Sequence, residues 1–271
     1  VASVLLGVAA WGHPDLEEQI ADVNLRIEQQ PGDASLWVQR GELYRLHREW
    51  DRAEADFRQA RKLDPGLQAV DFLIGRMYLE AGRPAEAKVL LDRFLAVEPD
   101  HATARIERAR ALVELKQPLA AAQDYTEALG DLGERGRPIP AHYLERAHAL
   151  VSAGPAHVPE ALRGLDEGLE RLGQPVSLQL YAIELELARG SHAGALARLD
   201  RIASQAKRQE TWLVRRGEIL ESAGKPAEAR AAYRSALAAI ESLPVSRKGT
   251  RAVTELQGKA EAALGRLGTD E

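Results

Sequence analysis

Seven histidines and no cysteine bound the chemistry open to this 271-residue chain. Without thiols it can form no disulfide, no thiolate zinc site and no cysteine nucleophile. His142, Glu145 and His148 form a triplet with a metal-like spacing. However, residues six apart on a helix lie about 240° around its axis, so the two imidazoles diverge. Ordinary surface or groove side chains are the better reading. Glu134-Arg135-Gly136-Arg137 is too short and too balanced in charge to cradle a phosphate, and no Gly-rich Walker or dinucleotide pattern occurs. Arg247-Lys248-Gly249-Thr250-Arg251 reads as a solvated helix start, because no basic stripe surrounds it. Nowhere do an acid, a base and a nucleophile converge. The expectation is a chain that is not an enzyme and uses no cofactor or metal. The catalytic alternative is a dispersed site near Asp131–Pro140.

Composition points the same way. Lys and Arg number 36 against 41 Asp and Glu, a net charge of −5. A general nucleic-acid binder needs a basic excess to displace counterions, and a polybasic membrane-surface protein needs one too. Ala, Leu, Arg and Glu dominate and aromatics make up only 5%. These residues favour helix and leave little from which to build strands. Residues 1–13 are set apart: Val1–Ala10 is uncharged and nearly all apolar. Ten residues cannot span a bilayer, which takes about 20. The stretch reads as the back of an export signal, with Val8 and Ala10 at the small-residue positions before a cut ahead of Trp11. The alternative is an apolar first helix that caps the fold. The first reading implies an exported protein, periplasmic in a bacterium; the second implies a cytoplasmic one. No other segment is apolar enough for stable membrane insertion.

The elements that would position any site come from a repeat. Pro31, Pro65 and Pro99 stand 34 residues apart. The same period relates Gly41, Gly75 and Ala109; Tyr44, Tyr78 and Leu112; Ala53, Ala87 and Ala121; and Phe57, Leu91 and Tyr125. Within the second unit, Phe72 to Ala81 reads as a helix, Gly82-Arg83-Pro84 as a turn, and Ala85 to Val97 as a second helix. Glycine suits the left-handed position after a helix, and proline the first turn of the next. The small columns Gly41, Gly75 and Gly217 are expected to meet Ala53, Ala87 and Ala229 on the paired helix.

Trp37, Gly41, Tyr44, Ala53, Phe57, Ala60 and Pro65 resemble the tetratricopeptide repeat pattern in order and spacing. Gly75, Tyr78, Ala87 and Pro99 repeat it, and Ala109, Leu112, Ala121, Tyr125 and Ala128 do so again. The resemblance implies an all-α, right-handed α-solenoid of about six helix pairs over 34–244, used for protein–protein contact. Unit starts fall at Ala34, Gln68, Ala102, Pro140, Val176 and Glu210. Extra residues fall in Asp131–Pro140 and in Ala153–Pro159, and the fifth unit has Ile183 where the others have a small residue. Residues 14–31, with Leu16, Ile20, Val23 and Ile27 on one face, form an N-terminal capping helix. Residues 245–271 form a C-terminal solvating helix and tail, with Val253, Leu256, Ala260, Leu264 and Leu267 inward.

In this family the first helix of each unit lines a concave groove. Its fifth position reads Val38, Phe72, Ile106, Leu144, Leu180 and Val214. Its ninth reads Glu42, Arg76, Arg110, His148, Glu184 and Glu218. An apolar track would thus run beside a polar row that is cationic in the middle and acidic at both ends. The partner expected for it is an extended or helical segment of another protein with an acidic centre. The fifth-position side chains also fit a second role, packing against the neighbouring first helix. Chaperone-binding members hold a C-terminal carboxylate with cations at four positions that here are Val38, Glu42, Thr103 and Glu107, so that carboxylate-clamp activity is rejected. The competing function is an assembly subunit that self-associates through a convex face or a terminal helix.

Overall fold

The computed structural model describes residues 14–135 and 137–268, and every regular element among them is helical. Residues 1–13, read above as an export-signal remnant, lie outside the described residues. The chain forms two compact units, one up to Arg137 and one from Pro138.

The first unit runs α1 (Pro14–Gln29), α2 (Ala34–Leu46), α3 (Trp50–Leu63), α4 (Ala69–Glu80), α5 (Pro84–Val97), α6 (Ala102–Glu114) and α7 (Pro118–Arg135). Helices pair as α2 with α3, α4 with α5 and α6 with α7, and α1 packs on α2 through Val23, Ile27, Leu36 and Leu43. The second unit runs α8 (Pro140–Ser152), a 3-10 turn at Pro155–His157, α9 (Val158–Leu172), α10 (Val176–Ala188), α11 (His192–Gln205), α12 (Glu210–Ser222), α13 (Pro226–Glu241), the single turn α14 (Val245–Lys248) and α15 (Arg251–Leu267). Here α8 pairs with α9, α10 with α11 and α12 with α13. Helix α15 lies on α12 and α13 and buries Val253, Ala260 and Ala263. It covers the apolar face that the last pair of a helical stack would otherwise expose to water.

The turns follow local rules. Gly82 and Gly224 take left-handed φ values of 73° and 70°, and Pro84 and Pro226 open the helices that follow. Helix α4 starts at Ala69, three residues before the expected Phe72, and α5 takes in Pro84. Much of the extra length expected as a Gly- and Pro-rich connection at Asp131–Pro140 is instead helical. Helix α7 runs for 18 residues against 14 for α3 and α5, because no proline interrupts it before Pro138.

The glycine columns also differ from expectation. A Cβ on Gly41 would lie 2.7 Å from the Phe57 ring, one on Gly75 2.9 Å from Leu91, and one on Gly217 2.5 Å from the Tyr233 ring. The glycines therefore make room first for the bulky column of the partner helix; at Gly75 the Ala87 carbonyl also lies 3.4 Å from such a Cβ, the expected alanine contact. Close packing demands that each large side chain find a matching gap. In the fourth pair the complementarity is reversed. Gly168 on α9 faces Tyr143 on α8, and the tyrosine is fully buried.

Candidate partner-binding site

In the first unit the apolar track is mostly packing. Ile106 is buried, and Val38 is half-buried against the core. Phe72 is half-buried in an aromatic cluster, with ring centroids 5.5 Å from Phe94 and 5.1 Å from His101. His101 is also the N-cap of α6, where its Nδ1 accepts the Ala104 N–H at 3.1 Å. Phe72 thus ties α4 to the start of α6.

The polar row of this unit is internally neutralised. Arg76 pairs with Glu42 across α4 and α2, and Arg45 donates to both oxygens of Glu80 at 2.7 Å. Arg110 pairs with Glu107 at 3.1 Å. Burial pushes the Glu107 carboxyl above its usual range, although the Arg110 and Arg76 charges oppose the shift. Three acids thus meet three arginines. The open cationic centre expected from Arg76 and Arg110 is replaced by a closed network, because the sixth, twelfth and thirteenth helix positions share that face and bring their own charges. These members, Arg45, Glu80 and Glu107, are legible from the helical period once those positions are counted with the fifth and ninth.

The second unit is different. Val214 is buried in the core of α12, α13 and α15. Leu144 is half-buried, whereas Leu180 is exposed. His148 is exposed and stacks on Tyr181 of α10 with centroids 4.2 Å apart. Burial raises the Tyr181 hydroxyl pKa, and the nearby Glu184 carboxylate raises it further. Glu184 is exposed, and Glu218 pairs with Arg215 at 2.9 Å. Tyr181 and the exposed Val176 extend this face beyond the sequence expectation.

Among the described residues, no group of three His, Asp or Glu is placed to hold a metal ion, and no helix is long and apolar enough to cross a membrane. In the basic cluster before α15, Lys248 pairs with Glu241 and Arg251 with Glu255, each at 2.7 Å.

Comparison with known proteins now bears on this geometry. The family model described as tetratricopeptide repeat matches residues 44–103, and the one described as tetratricopeptide repeat-like domain matches 164–262. This chain is a tetratricopeptide repeat protein. No curated protein sequence matches it. Its fold is that of solved tetratricopeptide solenoids. A tetratricopeptide repeat protein from Parabacteroides merdae is 16% identical over 91% of this chain and 93% of its own, with a TM-score of 0.54. The type IV pilus biogenesis factor PilW is 19% identical over 70% of this chain and 86% of its own, with a TM-score of 0.57. YrrB, described as having an unusual peptide-binding site, is 20% identical over 67% of this chain and 91% of its own, with a TM-score of 0.54. At these identities the likeness is one of fold.

Proposed function

We propose that this tetratricopeptide protein is a non-catalytic scaffold that binds a segment of another protein on the inner faces of its first helices. The observation that carries the reading is the face of α8 and α10. There Val176, Leu180 and a His148–Tyr181 stack stand at the surface of two neighbouring first helices, each packed on its own second helix. Exposed apolar and aromatic side chains grouped on one face are contact surface. On the first helices of the first unit, Val38, Phe72 and Ile106 form a packed base, and Glu42, Arg76 and Arg110 a polar row beside it. A partner with an acidic centre would have to displace Glu42 and Glu107 from the arginines, so the first unit offers it little gain. The apolar Val1–Ala10 stretch supports an exported, periplasmic protein.

Site-specific photo-crosslinking in cells tests the scaffold reading. A crosslinker at His148 or Leu180 is expected to trap a discrete partner protein. One at Val89 or Leu119, exposed on second helices, is expected not to. Adducts from the second helices alone, or adducts only between copies of this chain, overturn the reading and favour the self-assembling alternative.

A further inference from the structure

Along α10, Val176, Leu180 and Glu184 lie at successive turns of one face, since residues four apart are neighbours on a helix. Val176 is 47% and Leu180 39% exposed, and Glu184 is exposed with no cationic partner among the described residues. At its Val176 end the strip runs into a cavity of about 220 Å³ walled by Val176, Ile202, Ala206, Trp212 and the Gln179 and Gln205 side chains. Pockets for drug-sized ligands run from about 300 to 1,000 Å³, so this one suits a single side chain. Arg201, exposed, stands in the wall of the same cavity.

We propose that this strip docks an extended segment of a partner protein that places one apolar side chain in the cavity and a Lys or Arg against Glu184. The proposal rests on the scaffold reading and specifies its partner. Charge sets the polarity. Arg201 repels a cation at the cavity end, and Glu184 attracts one at the other, so the segment lies in one direction only. Length sets the spacing. Eight residues of α10 span about 12 Å, and an extended chain covers that in about four residues at ~3.3 Å each. The recognised pattern is therefore an apolar residue followed or preceded, four positions away, by a base. The first unit cannot substitute, because its inner charges are already paired with one another.

The test uses the full chain and two fluorescein-labelled peptides in a Ser-Gly background, one with Leu and Lys four positions apart and one with Leu and Glu. Anisotropy is expected to show the Lys peptide binding about fivefold tighter, the scale of an exposed charge pair, with the order reversed in Glu184→Lys. Ala206→Phe, which fills the cavity, is expected to weaken the Lys peptide at least about tenfold, the worth of one buried apolar side chain. Circular dichroism should match wild type for both variants. Equal binding of the two peptides, no reversal in Glu184→Lys, or no saturable binding up to about 1 mM overturns the proposal. If that happens while crosslinks from His148 or Leu180 still trap a partner, the docking chemistry is wrong and the scaffold reading stands. Loss of those crosslinks as well removes both.

Discussion

Arginine at the seventh position of a first helix couples three helices at once. Arg108 on α6 holds Asp124 of α7 at 2.6 Å and Asp92 of α5 at 3.0 Å. Arg40 on α2 does the same with Asp56 of α3 at 2.7 Å and Asn24 of α1 at 2.7 Å. Hydrogen bonding to Asp124 holds the Arg108 guanidinium protonated well above its ordinary range. Asp124 and Asp56 are buried, so each depends on its arginine. Removing one partner of a buried pair strands the other charge and costs about 3–5 kcal/mol. Arg108→Ala is therefore expected to lower the unfolding free energy measured in urea by about 3 kcal/mol. Arg216→Ala, whose pair with Asp200 is largely exposed, is expected to cost less than about 1 kcal/mol. Equal losses would show that the buried carboxylate is not what sets the penalty.

At the scale of the element, the turn inside each pair tests how far the sequence carries. Gly82, Gly190 and Gly224 occupy the same left-handed position, with φ of 73°, 77° and 70°. Arg48 and Lys116 occupy it too, at 61° and 60°. A Cβ in that conformation costs roughly 1–2 kcal/mol, and glycine returns part of the gain as extra unfolded-state entropy. Lys116→Gly is accordingly expected to raise the melting temperature by the equivalent of up to about 1 kcal/mol, with no change in helix content by circular dichroism. The helix starts were readable because proline and glycine punctuate them at Pro84, Pro140 and Pro226. The length of α7 was not, since Gly130 and Gly133 resemble a loop in sequence yet are tolerated within a helix at about 1 kcal/mol each. The partners of the glycine columns were hidden for a different reason. Which side chain fills a gap is decided by the crossing of two helices, and a repeat period cannot distinguish Ala53 from Phe57. For the candidate site, periodicity groups residues on one helix face. It could not tell exposed Leu180 from buried Val214, because both are apolar residues at one repeat position and only their neighbours differ.

The described residues form two compact units, one up to Arg137 and one from Pro138, and each holds more than one apolar cluster. In helical-repeat proteins stability is approximately a sum of nearest-neighbour terms, so a local defect should loosen its own neighbourhood first. Gly217→Ala is the sharpest such defect available. Alanine would gain about 1 kcal/mol of helix propensity, but its Cβ would enter the Tyr233 ring at 2.5 Å. Tyr233 cannot retreat easily, being buried and hydrogen-bonded to Glu221 at 3.0 Å. Overpacking of this kind typically costs about 1–3 kcal/mol, and here it outweighs the propensity. Native-state hydrogen exchange on Gly217→Ala is expected to show faster exchange for amides of α12, α13 and α15, while those of α2 to α6 keep wild-type protection. Uniform acceleration across both sets would mean that the chain opens as one cooperative body. Protection lost only in the second unit would place its α10 face on a scaffold that can be loosened without disturbing Arg76, Glu42 and the paired network of the first.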